Sequence, residues 1–112
     1  MDEIKKTYCF DIDETICKTI GSKYEKSIPI TERINKVNLL YDEGHTILFL
    51  TARGMGRTNN NSAEAYKCLY EFTKRQLDSW GLKYHRLFLG KPASDYYIDD
   101  KGIADKDFFC EK

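Results

Sequence analysis

Four short apolar runs, each ending in a charged or hydroxyl-bearing residue, constrain this chain more than any other feature. Lys6–Ile12 (KTYCFDI), His45–Leu50 (HTILFL), Tyr84–Leu89 (YHRLFL) and Tyr96–Ile98 are rich in β-branched and aromatic residues and read as strands. Two segments of helical spacing separate the first three. One starts near Pro29–Thr31, where proline and a threonine cap are both favourable, repeats Ile34, Val37, Leu40 and Tyr41, and stops at Gly44. The other runs from Ala63 to Trp80 with Ala65, Cys68, Leu69, Phe72, Gln76 and Leu77 along one face, and stops at Gly81. Ile16–Ile28 reads as a loop or small hairpin, and Thr51–Ser62 as a polar loop. Strands alternating with helices predict an α/β fold with a central parallel sheet. The uninterrupted HTILFL run predicts a strand covered on both faces.

A chain of 112 residues suffices for one domain, taken as 1–112. Eighteen basic and eighteen acidic side chains cancel, which argues against nucleic acid or an anionic membrane as a partner held by bulk charge. Met1–Lys6 lacks the apolar run of a signal peptide, and no stretch approaches the ~20 apolar residues of a membrane span. A cytoplasmic location is the expectation. Cys9, Cys17, Cys68 and Cys110 form no C-x-x-C pair and read as small buried or half-buried thiols of a reducing compartment. His45 and His85 each open a strand, far from any cysteine pair, so a zinc site is not expected.

In parallel sheets ligands collect at the carboxyl ends of strands. Asp11 and Asp13, Thr51, Lys91, and Asp99 with Asp100 all fall at or just after such an end. Two carboxylates as close as Asp11 and Asp13 resist joint ionisation unless a cation or proton offsets them. Mg2+ with a third carboxylate from Asp99 would do so through hard oxygen ligands. One carboxylate is then available as nucleophile and the other for proton transfer. The Thr51 hydroxyl, with main-chain N–H groups beyond the strand, suits a phosphoryl oxygen. Lys91 in Gly90-Lys91-Pro92 would neutralise both nucleophile and phosphoryl group. Singly, each has a plainer explanation: a turn threonine, a solvated lysine, acidic residues capping a turn.

Together the segments DIDET, TAR, GKP and IDD, in this order, resemble the haloacid dehalogenase superfamily over most of the chain. That resemblance implies a single Rossmann-like, three-layer domain. It implies Asp11 as nucleophile and magnesium ligand, and Asp13 as general acid/base that contacts the metal through its carbonyl. Thr51 and Lys91 become the phosphate-positioning residues and Asp99 the third metal ligand, with Asp100 sharing that role or orienting a metal-bound water. An aspartate at position 13 points to phosphatases and phosphomutases. Glu14 departs from the glycine that many members carry, which raises the question of crowding at the phosphate entrance. Ile16–Ile28 has room only for a hairpin flap, and Thr51–Lys91 is filled by a loop, a helix and a strand, so no cap domain is expected. LYDEGHTILFLTARG and QLDSWGLKYHRLFLGKPASDYYIDDK are similar to small phosphatases of bacterial capsule and polysaccharide biosynthesis, which favours a phosphorylated sugar or polyol as substrate. Arg53 and Arg57 would read a second anionic or hydroxyl-rich part of it.

The expectation is therefore a magnesium-dependent phosphomonoester hydrolase, with homo-oligomerisation left open. A phosphatase acting on a protein or nucleic-acid end is the alternative enzyme; a non-catalytic phosphate-binding module is the alternative class. A phosphate-accepting receiver domain also uses strand-end aspartates, a threonine and a lysine-proline. Its adjacent acidic pair sits near the N-terminus, whereas here the adjacent pair is Asp99-Asp100.

Overall fold

The computed structural model describes residues 4–110. Its sheet consists of β1 (Thr7–Phe10), β4 (Thr46–Thr51) and β5 (Arg86–Leu89) in the order β1-β4-β5, every pair parallel. Between β1 and α1 (Thr31–Asp42) lies a flap, in which β2 (Cys17–Lys18) pairs antiparallel with β3 (Ile28–Pro29) around a 3₁₀ turn at Tyr24–Lys26. Helix α2 (Ser62–Ser79) joins β4 to β5, and the four-residue α3 (Asp105–Phe108) follows near the C-terminus.

Register decides which side chains meet. Tyr8 and Phe10 lie level with Ile47 and Phe49, and Leu87 and Leu89 with Phe49 and Thr51. These residues share one face of the sheet. Apart from the partly buried Tyr8, all of them are buried. Both crossovers join neighbouring parallel strands in the same direction, so right-handed connections put α1 and α2 over that face. Ala65, Leu69, Thr73 and Leu77, one residue per turn, are the buried stripe of α2; Arg33, Ile34 and Val37 are buried on α1.

The opposite face carries exposed Cys9 and Arg86 and half-buried Leu48, Leu50 and Phe88. The expected third layer is thus not formed among the described residues, and β4 alternates between full and partial burial instead of being covered on both faces. Three of the four cysteines, Cys9, Cys68 and Cys110, are exposed rather than buried.

Local signals fare differently at the two helix starts. The Asn61 side chain caps α2 by accepting from the Glu64 N–H at 3.1 Å. Thr31 does not cap α1. Ile30 occupies that position without a side-chain bond, and its N–H donates to the Ile16 carbonyl at 2.9 Å, pinning the helix start to the flap. Gly44 and Gly81, at φ +95 and +77, end the two helices in the left-handed conformation. Each histidine splices a strand start: the Nδ1 atoms of His45 and His85 accept from the N–H groups of Lys6 and Ile47, both at 3.0 Å. No helix among the described residues is long and apolar enough to cross a membrane.

Ile47 is fully buried on the central strand, whereas Leu39 on α1 is exposed. Ile47→Ala should lower stability by roughly 2–5 kcal/mol, and Leu39→Ala should stay within about 0.5 kcal/mol of the parent. Urea denaturation midpoints of the two variants check this difference.

Candidate active site

Parallel pairing sends the ends of all three strands to one edge. β1 ends at Phe10, so Asp11 is the first residue beyond it; β4 ends in Thr51; Gly90 and Lys91 follow β5. The Lys91 N–H donates to the Thr51 carbonyl at 3.2 Å, extending the β4–β5 pairing to the lysine itself. Its ammonium then lies 3.6 Å from Asp11 Oδ2 and 4.3 Å above the Tyr97 ring. Burial strips water from the Asp11 carboxylate and pushes its pKa up. The Lys91 charge and the Ile12 N–H pull it back, and the neighbouring Asp13 charge adds to the rise.

Asp13 is held quite differently. After Ile12 the chain turns sharply, with the Thr15 and Ile16 N–H groups donating to the Ile12 carbonyl at 3.1 and 2.9 Å. Arg53 then meets the Asp13 carboxylate as a fork, Nε to Oδ2 at 3.0 Å and Nη2 to Oδ1 at 2.9 Å. From the flap, the Thr19 hydroxyl donates to Oδ1 at 2.7 Å, and the Cys17 thiol approaches the same oxygen at 3.7 Å. Burial and the Asp13 charge keep the Cys17 thiol protonated, its pKa raised.

Thr51 is buried, and its hydroxyl accepts the Arg53 N–H at 3.1 Å, a turn contact that fixes where Arg53 leaves the strand. Arg53 itself is 1% exposed. It is therefore committed to Asp13 and does not face solvent as a reader of substrate; Arg57 in the same loop remains exposed. Glu14 adopts φ +66, a left-handed conformation that costs a non-glycine residue about 1–2 kcal/mol. Its carboxylate accepts from the Thr19 N–H at 3.0 Å and the Lys18 ammonium at 3.2 Å, so the side chain braces the flap base instead of crowding the strand edge. The Thr19 N–H, with Lys18 assisting, holds that carboxyl below its usual range.

Asp99 and Asp100 correct the sequence reading. Tyr96–Ile98 forms no strand; the three side chains are 82%, 53% and 97% exposed. Local bonds hold the segment outside the sheet. Ser94 Oγ donates to the Tyr96 carbonyl at 2.8 Å, the Tyr97 hydroxyl donates to the Pro92 carbonyl, and Asn60 Oδ1 accepts the Ala93 N–H at 3.0 Å. Asp99 accepts the Lys101 N–H at 3.1 Å, a bond that holds its carboxyl below the usual range. Asp99 still lines the open groove of about 1470 Å³ that runs from Asp11 and Lys91 along β1. Among the described residues no three acidic, histidine or cysteine side chains converge as a cation site. In this arrangement Asp11, Asp13, Thr51 and Lys91 are linked at the strand edge, while Asp99 and Asp100 belong to the exposed segment after it, so the expected magnesium set of Asp11, Asp13, Asp99 and Asp100 is not assembled among the described residues.

Sequence reading missed the pairing of Arg53 with Asp13, the bond from Thr19 to the same carboxylate, and Gln76, whose side-chain oxygen accepts from Arg53 at 2.7 Å. The one available signal was position: Arg53 stands two residues past a strand end, on the same edge as Asp13.

The fold is similar to that of a solved crystal structure, a structural-genomics target from Vibrio cholerae, with a TM-score of 0.85 at 24% identity over 97% of this chain and 90% of that one. That likeness shows the fold: α/β with a parallel three-stranded sheet. No family model matches the chain, and no curated protein matches it.

A raised Asp11 carboxyl means that ionising it works against the folded state. The penalty is absent below the ordinary carboxylate range and grows as pH rises through the folded-state value. Without added magnesium, Asp11→Asn should raise the thermal midpoint at pH 7, and the gain should shrink on acidification through the carboxylate range. Lys91→Met should push the Asp11 carboxyl higher still, which a carbon-detected NMR titration of the carboxyl signals reads directly.

Proposed function

We propose that the chain is a magnesium-dependent phosphomonoester hydrolase of the haloacid dehalogenase type, without a cap domain, working through an aspartyl-phosphate on Asp11. The carrying observation is the contrast between the two carboxylates at one strand edge. Asp11 lies 3.6 Å from Lys91 in the lining of an open groove, and Asp13, two residues on, is clamped by Arg53 and Thr19. One is accessible for attack, and the other is held for proton transfer.

In this reading an Asp11 oxygen attacks phosphorus as the bond to the leaving oxygen breaks, and Asp13 gives that oxygen its proton. Water then attacks the aspartyl-phosphate, Asp13 takes the water proton, and inorganic phosphate leaves with the Asp11 carboxylate restored. Lys91 offsets charge on the phosphoryl oxygens, while Thr51 holds the turn beside them. Magnesium, when bound, adds positive charge at the same place. Asp11, the Asp13 carbonyl and Asp99 are the groups that, by the sequence resemblance, would hold it. A small phosphorylated sugar or polyol is the substrate class the sequence resemblance supports.

Hydrolysis of an aryl phosphate in the presence of magnesium is the test. Turnover is expected, and EDTA or Asp11→Asn should abolish it. Asp99→Asn should move the magnesium titration to higher concentration. Undiminished activity of Asp11→Asn would remove the nucleophile assignment, and indifference to EDTA would remove the metal.

A further inference from the structure

Among the described residues Arg53 is the largest fully buried side chain, and a charge so buried is costly unless its donors are met. Its Nε and Nη2 take the two Asp13 oxygens. Nη1 donates to Gln76 Oε1 at 2.7 Å and Thr73 Oγ1 at 3.3 Å, both on α2. The Tyr24 ring covers the guanidinium face at 4.6 Å. Tyr24 belongs to the flap, and its carbonyl accepts the Gln76 side-chain amide at 2.7 Å. Gln76 therefore binds Arg53 with one end and the flap with the other.

The flap grips Asp13 from the other side. The Thr19 hydroxyl donates to Oδ1, which leaves Ser27 as donor in the 2.6 Å pair between those two hydroxyls. Oδ1 thus accepts from Thr19 and Arg53 and is approached by Cys17, whereas Oδ2 accepts from Arg53. A carboxylate oxygen has two accepting directions, so Oδ2 is the atom left with capacity for a transferable proton.

We propose that Arg53 is a positioning residue for Asp13 and that Tyr24 and Gln76 latch it. With the flap seated on α2, Arg53 is sealed from water, both Asp13 oxygens are fixed, and Oδ2 keeps one accepting direction for the proton that goes to the leaving group. With the flap lifted, Asp13 loses Thr19, Arg53 loses its cover, and the proton donor is no longer placed. Proton transfer is thereby tied to flap closure. This inference rests on the phosphatase reading above.

Leaving-group dependence tests it. A dinitrophenyl phosphate needs no proton on its leaving oxygen, whereas an alkyl phosphomonoester does. The dinitrophenolate burst and alkyl-phosphate turnover are measured with magnesium for the parent, Arg53→Lys and Gln76→Leu. Arg53→Lys keeps the charge but loses the fork. It should cut alkyl turnover about 100-fold while changing the burst rate by less than about fivefold. Gln76→Leu leaves the Arg53–Asp13 pair in place. It should show the same pattern at about tenfold, with faster amide hydrogen exchange across residues 19–27. Equal losses on both substrates in either variant would mean a merely structural role and overturn the proposal, as would unchanged flap exchange in Gln76→Leu. A parent protein that gives neither burst nor turnover would instead sink the phosphatase reading on which the proposal stands.

Discussion

Parallel pairing of β1, β4 and β5 delivers three strand ends to a single edge, and the polar chemistry of the molecule follows from where each chain leaves the sheet. Ladder bonding carries on past β5 to the Lys91 N–H, which fixes where the lysine stem begins, and the ammonium then rests between Asp11 and the Tyr97 ring. On β4 the buried Thr51 hydroxyl plays the matching part for Arg53. The cations that face the Asp11–Asp13 pair are thus held at both ends, by backbone bonds where they leave the strands and by side-chain contacts at the charge, a form of preorganisation that counts most in a poorly hydrated site.

Two carboxylates two residues apart would repel if both faced one space. The turn after Ile12 lessens this by sending them to different partners, although the Asp13 charge still adds to the rise at Asp11. Asp11 remains at the groove with Lys91 beside it, and partial burial raises its affinity for a proton. Asp13 is turned inward to a guanidinium that has no exposure of its own. A buried fork of this kind is worth little as net stabilisation, since desolvation cancels most of the attraction, yet it is geometrically exacting. Its value in this protein is placement. Glu14 in a left-handed conformation and the hairpin it braces belong to the same design, because they hold Thr19 against Asp13.

The α/β class, the two long helices, the three sheet strands and the gathering of Asp11, Asp13, Thr51 and Lys91 were legible because they depend on local periodicity and on the rule for parallel sheet edges. Tyr96–Ile98 was not. Aromatic and β-branched residues fit a pleated surface, but a three-residue strand exists only if a neighbour offers it a ladder. Pro92, Ser94 and Asn60 supply competing local bonds instead. Asp99 and Asp100 consequently stand outside the edge they were expected to complete. The covering of β4 on both faces failed for a related reason: a run of apolar residues reports hydrophobicity, and whether a second layer covers it depends on elements the run itself does not specify. Arg53 was legible as a residue on the edge and illegible as a partner of Asp13, since that contact spans 40 positions and depends on the angle of one turn.

The central claim is that Asp11 becomes covalently phosphorylated. Acid quenching during turnover of a ³²P-labelled phosphomonoester, followed by peptide mapping, measures this directly. Label that survives acid, is released by hydroxylamine and maps to the peptide containing Asp11 is the predicted result. Turnover that leaves no hydroxylamine-sensitive label, or label on a peptide without Asp11, would contradict it.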